Sequence, residues 1–175
     1  MSIACSINLN TTLTAEQRER YQNGDQIQKL LASMRKVAII GLSTESTKAS
    51  NMVASYLLDE GFEVIPVHPK ADFILGQKVY RSLAEVPFAV DVVNVFRPGH
   101  EMWDITDQAI ANGAKAVWSQ LRIINFDAGS RAIDAGLVAV QDKCIKMEHG
   151  RYGGMLHWAG MNTEIISAKR RSVNR

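Results

Sequence analysis

From residue 36 onward, short unbroken apolar runs take turns with segments whose apolar residues recur at helical spacing. The runs are Val37 to Leu42, Glu63 to Val67, Val90 to Phe96, Lys115 to Gln120 and Leu137 to Gln141. Runs of that length, bounded by Gly, Pro or Asn, predict strands buried on both faces. Between them, Ser50 to Glu60 places Met52, Val53, Tyr56 and Leu57 on one side and stops at Gly61; Glu101 to Ala111 stops at Asn112-Gly113; Phe126 to Ala135 stops at Gly136. Glycine just past a periodic segment is a helix C-terminal signal. A short strand at 78–80 and a helical turn opened by Ser82 and closed before Pro87 complete the series. Pro66 sits inside the second run and cannot donate to a ladder, so that strand is expected to pair fully on one side only.

Strands alternating with helices predict βαβ units and a parallel sheet, and right-handed crossovers turn this into a doubly wound α/β domain of three layers. Counted in chain order, the expected strand order is 3-2-1-4-5 or an extension of it. Upstream, Thr14-Ala15-Glu16-Gln17 fits a capping box, and Asp25 to Met34 carries Ile27, Leu30, Leu31 and Met34 on one face. Downstream of His149 the periodicity ends in a Gly- and aromatic-rich stretch, Gly150 to Gly160. The expected organisation is an N-terminal extension with a short helix (1–24), one domain (25–149) and a C-terminal extension (150–175).

Composition narrows the function classes. A net charge of +2 gives no case for nucleic acid, because Lys169, Arg170, Arg171 and Arg175 crowd the last seven positions and leave the body near neutral. No run approaches the ~20 apolar residues of a membrane span, and no secretory signal pattern opens the chain. Two cysteines, Cys5 and Cys144, form neither a disulfide framework nor a metal-ligand spacing, so a reducing, cytoplasmic setting without a metal is expected.

In an open parallel sheet, ligands bind beyond the carboxyl ends of the strands. Those ends are Gly41-Leu42-Ser43-Thr44, His68-Pro69-Lys70, Phe96-Arg97-Pro98 and Trp118-Ser119-Gln120. Backbone N–H groups and cations for phosphates, with flat apolar surfaces for a base, suit a nucleotide. Lys48, at the helix entrance, is within reach of the same anion. The dinucleotide fingerprint is broken, because Ser43 and Ser46 stand where its second and third glycines belong. The P-loop pattern is absent, and Lys70 stands where an acid would hold a ribose diol. A lysine there favours a phosphorylated ribose, as in NADP or coenzyme A. Cys144, between Lys143 and Lys146 and near His149, is a candidate for thiol exchange.

Val37-Ala38-Ile39-Ile40-Gly41-Leu42-Ser43, Val64-Ile65-Pro66-Val67-His68-Pro69-Lys70, Ile74-Leu75-Gly76 through Tyr80-Arg81-Ser82-Leu83, Val92 to Arg97, Ala114 to Trp118 with Gln120, and Asp142 to Lys146 with Glu148-His149 resemble the stand-alone CoA-binding domain proteins. That family is similar to the N-terminal domain of succinyl-CoA synthetase α subunits. The resemblance implies that Ser43, Thr44, Glu45 and Ser46 face the CoA pyrophosphate and that Lys70 is a CoA-binding lysine. It also implies that Trp118, Ser119 and Gln120 line the pantetheine path and that Phe96, Arg97 and Pro98 flank the adenine. His68 replaces a common asparagine, Leu121-Arg122 replaces a glycine, and Glu45 brings a negative charge into the phosphate loop. The synthetase's second domain, with its phosphohistidine, has no counterpart in these residues.

The expectation is therefore a protein that binds coenzyme A or an acyl-CoA, with a binding or regulatory role and no catalysis of its own. An NADP-dependent oxidoreductase and an interaction module with a vestigial nucleotide site are the alternatives. A homodimer or an unidentified protein partner is compatible with either.

Overall fold

The computed structural model describes residues 13–153. Five strands, β1 (Lys36–Ile40), β2 (Glu63–Val67), β5 (Val92–Val95), β6 (Ala116–Ser119) and β7 (Val138–Val140), form one parallel sheet in the order β2-β1-β5-β6-β7. The period of two along each strand sends Val37, Ile39, Val64, Val92 and Trp118 to one face, and Ala38, Ile65, Val93, Val95 and Val117 to the other. Helices α2 (Gly24–Ser33), α3 (Ala49–Asp59) and α6 (Ile145–Tyr152) cover the first face. Helices α4 (Met102–Asn112) and α5 (Phe126–Asp134) cover the second. This is the expected three-layer, doubly wound architecture. Helix α1 (Ala15–Tyr21) starts at the capping box read from Thr14 and Gln17, with both reciprocal bonds formed.

The sheet edges explain two features of the sequence. Strand β2 is an edge strand, and the Pro66 carbonyl accepts from the Tyr80 amide on its outer side. Since N–H and C=O of one strand residue point the same way, the N–H that proline lacks is missing from the outer edge and not from the ladder to β1. The short third strand is reduced to one parallel bridge, Val67–Tyr80. Its neighbours instead form a small antiparallel hairpin, β3 (Phe73–Ile74) with β4 (Gln77–Lys78). Leu75 and Gly76 make its turn with φ of 50° and 73°, the signature of a two-residue type I′ turn. At the other edge, the Gln141 amide donates to the Tyr21 carbonyl at 3.2 Å, so the junction between α1 and α2 covers β7.

Asp91 ties the amino ends of the strands together. Its carboxylate accepts the Arg35 and Lys36 amides at 2.7 and 2.9 Å and pairs with Lys115 at 2.7 Å. Burial pushes this carboxyl up, but the bonds from Lys115 and the two amides outweigh it and hold the group below the usual range.

Helix α6 was not expected. Its buried face carries Glu148, His149 and Arg151 beside Ile145, so no apolar stripe marks it, and it continues past residue 149 to Tyr152. The C-terminal extension beyond Gly153, including its basic end, and Cys5 lie outside the described residues. Among the described residues no helix is long and apolar enough to cross a membrane, and no cluster of His, Cys, Asp and Glu could hold a metal ion.

Candidate functional site

The chain leaves β1 to one side to form α3 and β2, then returns across β1 to form β5 on the other. The carboxyl ends of β1 and β5 therefore bound the topological switch point, where such sheets open a crevice. Gly41 stands at its centre with φ of +84°, a left-handed conformation that glycine adopts at least cost. A Cβ there would lie 2.9 Å from the Phe96 carbonyl oxygen and 2.9 Å from Arg97 Cδ. The backbone of the first loop and the segment after β5 thus approach each other as closely as a glycine permits.

The loop that follows is pinned from within. The Ser50 hydroxyl accepts the Ser43 amide at 3.0 Å, the Asn51 side chain donates to the Ser43 carbonyl at 2.9 Å, and the Ser43 hydroxyl accepts the Glu45 amide at 3.1 Å. Ser50 and Asn51 are each 5% exposed, and Leu42 is fully buried below them. Thr44, Glu45, Ser46 and Lys48 are exposed on the outer side. Lys48 is the N-cap residue of α3 and provides no side-chain cap; the Asn51 amide donates to the Lys48 carbonyl at 3.0 Å, which leaves the Ala49 and Ser50 amides without the acceptor that Ser, Thr or Asp would supply. An external anion is suited to serve as that acceptor. Glu45 is turned toward Lys48, 3.9 Å away, which offsets its repulsion of an anion; both ends are well exposed, so the pair contributes ~0–1 kcal/mol.

After β2, the His68 ring Nδ1 accepts the amides of Lys70 and Ala71 at 3.2 and 3.0 Å. A histidine can thus close the local turn that an asparagine side chain closes elsewhere. Pro69 and Lys70 are exposed, and Lys70 forms no ion pair among the described residues. After β5, Phe96 is half-buried against the core, and Arg97 makes a two-pronged pair with Glu101, 2.8 Å on each arm. That pair holds the Glu101 carboxyl below its usual range. Pro98 opens the 3₁₀ turn Gly99–Glu101 that leads into α4.

The residues at the end of β6 behave differently. Trp118 has no exposed surface and its indole N–H donates to the Lys143 carbonyl at 2.6 Å. The Ser119 hydroxyl donates to the Ile123 carbonyl at 2.7 Å, and the Gln120 amide donates to Asn94 Oδ1 at 2.6 Å. All three side chains are buried and bonded within the interior. The reason is that both faces of β6 are covered: Trp118 faces the side of α2, α3 and α6, and Ser119, one residue on, faces the other. Arg122 adopts φ of +65° and its amide donates to Asp142 Oδ1 at 2.6 Å. The turn keeps the left-handed geometry that a glycine would fill, now held by an acidic partner.

Cys144 is half-buried at the start of α6. The basic neighbours expected to activate it face elsewhere. Lys143 pairs with Glu148 at 3.5 Å, Lys146 lies over the Tyr56 ring at 5.3 Å, and His149 Nδ1 meets the Tyr56 hydroxyl at 2.9 Å. The structure therefore brings together the loop 41–48, His68 to Lys70 and Phe96 to Pro98 at the carboxyl edge, and takes Trp118, Ser119 and Gln120 into the core. The sequence reading missed Ser50 and Asn51 as the residues that pin the loop. Their signal was two small polar residues at a helix start directly after a glycine turn.

The chain is similar to the uncharacterized protein YneT of Bacillus subtilis, 32% identical over 124 residues, covering 71% of this chain and 92% of that protein. A solved structure of a hypothetical protein from Pyrococcus horikoshii OT3 superposes with a TM-score of 0.71 at 36% identity, covering 74% of this chain and 91% of the other. The ADP-forming acetate–CoA ligase of Methanocaldococcus jannaschii is 28% identical over 87 residues, which are 50% of this chain but 12% of that much longer protein. The family model described as CoA binding domain matches residues 35–150, from the first strand to the last helix, and the chain belongs to that family.

Proposed function

We propose that the protein binds coenzyme A or an acyl-CoA at the carboxyl edge of the sheet and acts as a binding or regulatory protein. The diphosphate rests on the turn Gly41 to Lys48, and Lys70 lies beside the phosphorylated ribose. The observation that carries this reading is the uncapped first turn of α3, facing the Gly41 turn at the switch point. It supplies backbone donors and a positive helix end without a built-in acceptor. Lys70, exposed and without an ion pair among the described residues, supports a second phosphate contact.

Calorimetry with coenzyme A, acetyl-CoA, dephospho-CoA and NADPH tests it. Saturable binding of coenzyme A is expected; binding of NADPH in its place would refute the proposal. Lys70→Ala is expected to weaken coenzyme A about tenfold, as one charge-assisted hydrogen bond suggests, and to leave dephospho-CoA nearly unchanged. Equal losses for both ligands would remove Lys70 from the ribose phosphate.

A further inference from the structure

Arg97 is built into the switch point, yet its charge is already taken. Its aliphatic stem lies over Gly41, 2.9 Å from where a Cβ would sit, so the side chain roofs the turn on which an anion would rest. Its Nε and one terminal nitrogen are both spent on Glu101, each at 2.8 Å. A carboxylate and a phosphate present the same pair of acceptor oxygens to a guanidinium fork, so the two compete for one site. The pair is 48% and 33% exposed, which keeps it cheap to open. Glu101 also has somewhere to go. It directly precedes the first turn of α4, whose positive end stabilises a carboxylate, and His100 Nε2 lies 3.9 Å away.

We propose that Arg97 is an anion-binding residue held in reserve, and that the diphosphate of the bound nucleotide displaces Glu101 from its guanidinium. Glu101 is then an internal competitor that sets the affinity of the site. The inference rests on the coenzyme A reading, and it adds an exchange of partners which that reading does not require.

The test is calorimetric titration of wild type, Glu101→Gln, Glu101→Ala, Arg97→Ala and the Arg97→Ala/Glu101→Gln double variant with coenzyme A and dephospho-CoA, with folding checked by thermal denaturation. Removing the competitor should tighten binding about two- to fivefold in both Glu101 variants, the worth of a half-exposed ion pair. Arg97→Ala should weaken both ligands equally, by about tenfold or more, because the diphosphate is common to them. The double variant should match Arg97→Ala, with no gain left for the Glu101 change. A gain in the double variant, or no gain in either single Glu101 variant, overturns the exchange while leaving coenzyme A binding intact. A loss at Arg97→Ala confined to coenzyme A overturns the diphosphate assignment. Failure of the wild type to bind coenzyme A overturns the underlying reading and the exchange with it.

Discussion

Replacing Gly41 by alanine tests how closely the turn after β1 approaches the segment after β5. Two costs combine. The left-handed φ of +84° penalises any L residue, and the new methyl meets the Phe96 carbonyl oxygen and Arg97 Cδ, each at 2.9 Å. Arg97 can swing aside, but the Phe96 carbonyl belongs to a backbone held to β1 by the Phe96 amide donating to the Ile40 carbonyl at 2.9 Å. Gly61 is the internal control, with φ of +85° and nothing within 4 Å of the place a methyl would take. Gly61→Ala should therefore cost only the conformational penalty, about 1 kcal/mol once the stiffer unfolded chain is counted. Gly41→Ala should add an overpacking cost of about 1–3 kcal/mol, for a total of about 2–4 kcal/mol. Urea unfolding of the two variants beside wild type measures the difference directly. Equal losses, within about 0.5 kcal/mol of each other, would refute the close approach and the role given to Gly41.

Three further outcomes follow from other parts of the molecule. Trp118→Phe should destabilise by about 2–3 kcal/mol in urea, because it leaves the Lys143 carbonyl without its donor and opens space in the core, yet coenzyme A affinity should change less than about twofold. A large affinity loss in the folded variant would return Trp118 to the ligand path. Leu75→Asn should stabilise by about 1 kcal/mol, since Leu75 holds φ of 50° in an exposed turn that suits asparagine; a loss in thermal melting would show that its side chain packs usefully. His149 makes stability pH-dependent. Its burial disfavours the imidazolium more than Glu60 favours it, so the folded-state pKa lies below the unfolded one. The unfolded chain takes up the proton first, and stability should fall as pH drops below about 6.5 and level off once the folded pKa is passed. His149→Gln should flatten that part of the profile; an unchanged slope would assign it to other groups.

Much of this molecule was legible in its pattern of side chains. The strands at β1, β2, β5, β6 and β7 announced themselves because a parallel sheet covered on both faces needs unbroken apolar runs, and helix ends at Gly61, Gly113 and Gly136 because left-handed caps select glycine. Pro66 even marked the edge strand. The left-handed turn at Gly41 was readable from the order strand, glycine, helix. Helix α6 was not, because its buried side carries Glu148, His149 and Arg151, whose burial is tolerated only because Glu148 pairs with Lys143 and Arg151 and His149 meets the Tyr56 hydroxyl.

The sequence by itself determined the layer order, the helix stops and the glycine turn after the first strand, since each depends on local periodicity or on one residue's backbone preference. Only the tertiary structure decided which strand-end residues look outward. Trp118, Ser119 and Gln120 share the carboxyl edge with Lys70 and Arg97, but the cover on both faces of β6 and interior hydrogen bonds keep them in the core. It alone also decided that Arg97 meets Glu101 above Gly41, because that meeting depends on how closely two backbones approach, and no single stretch of chain encodes that distance.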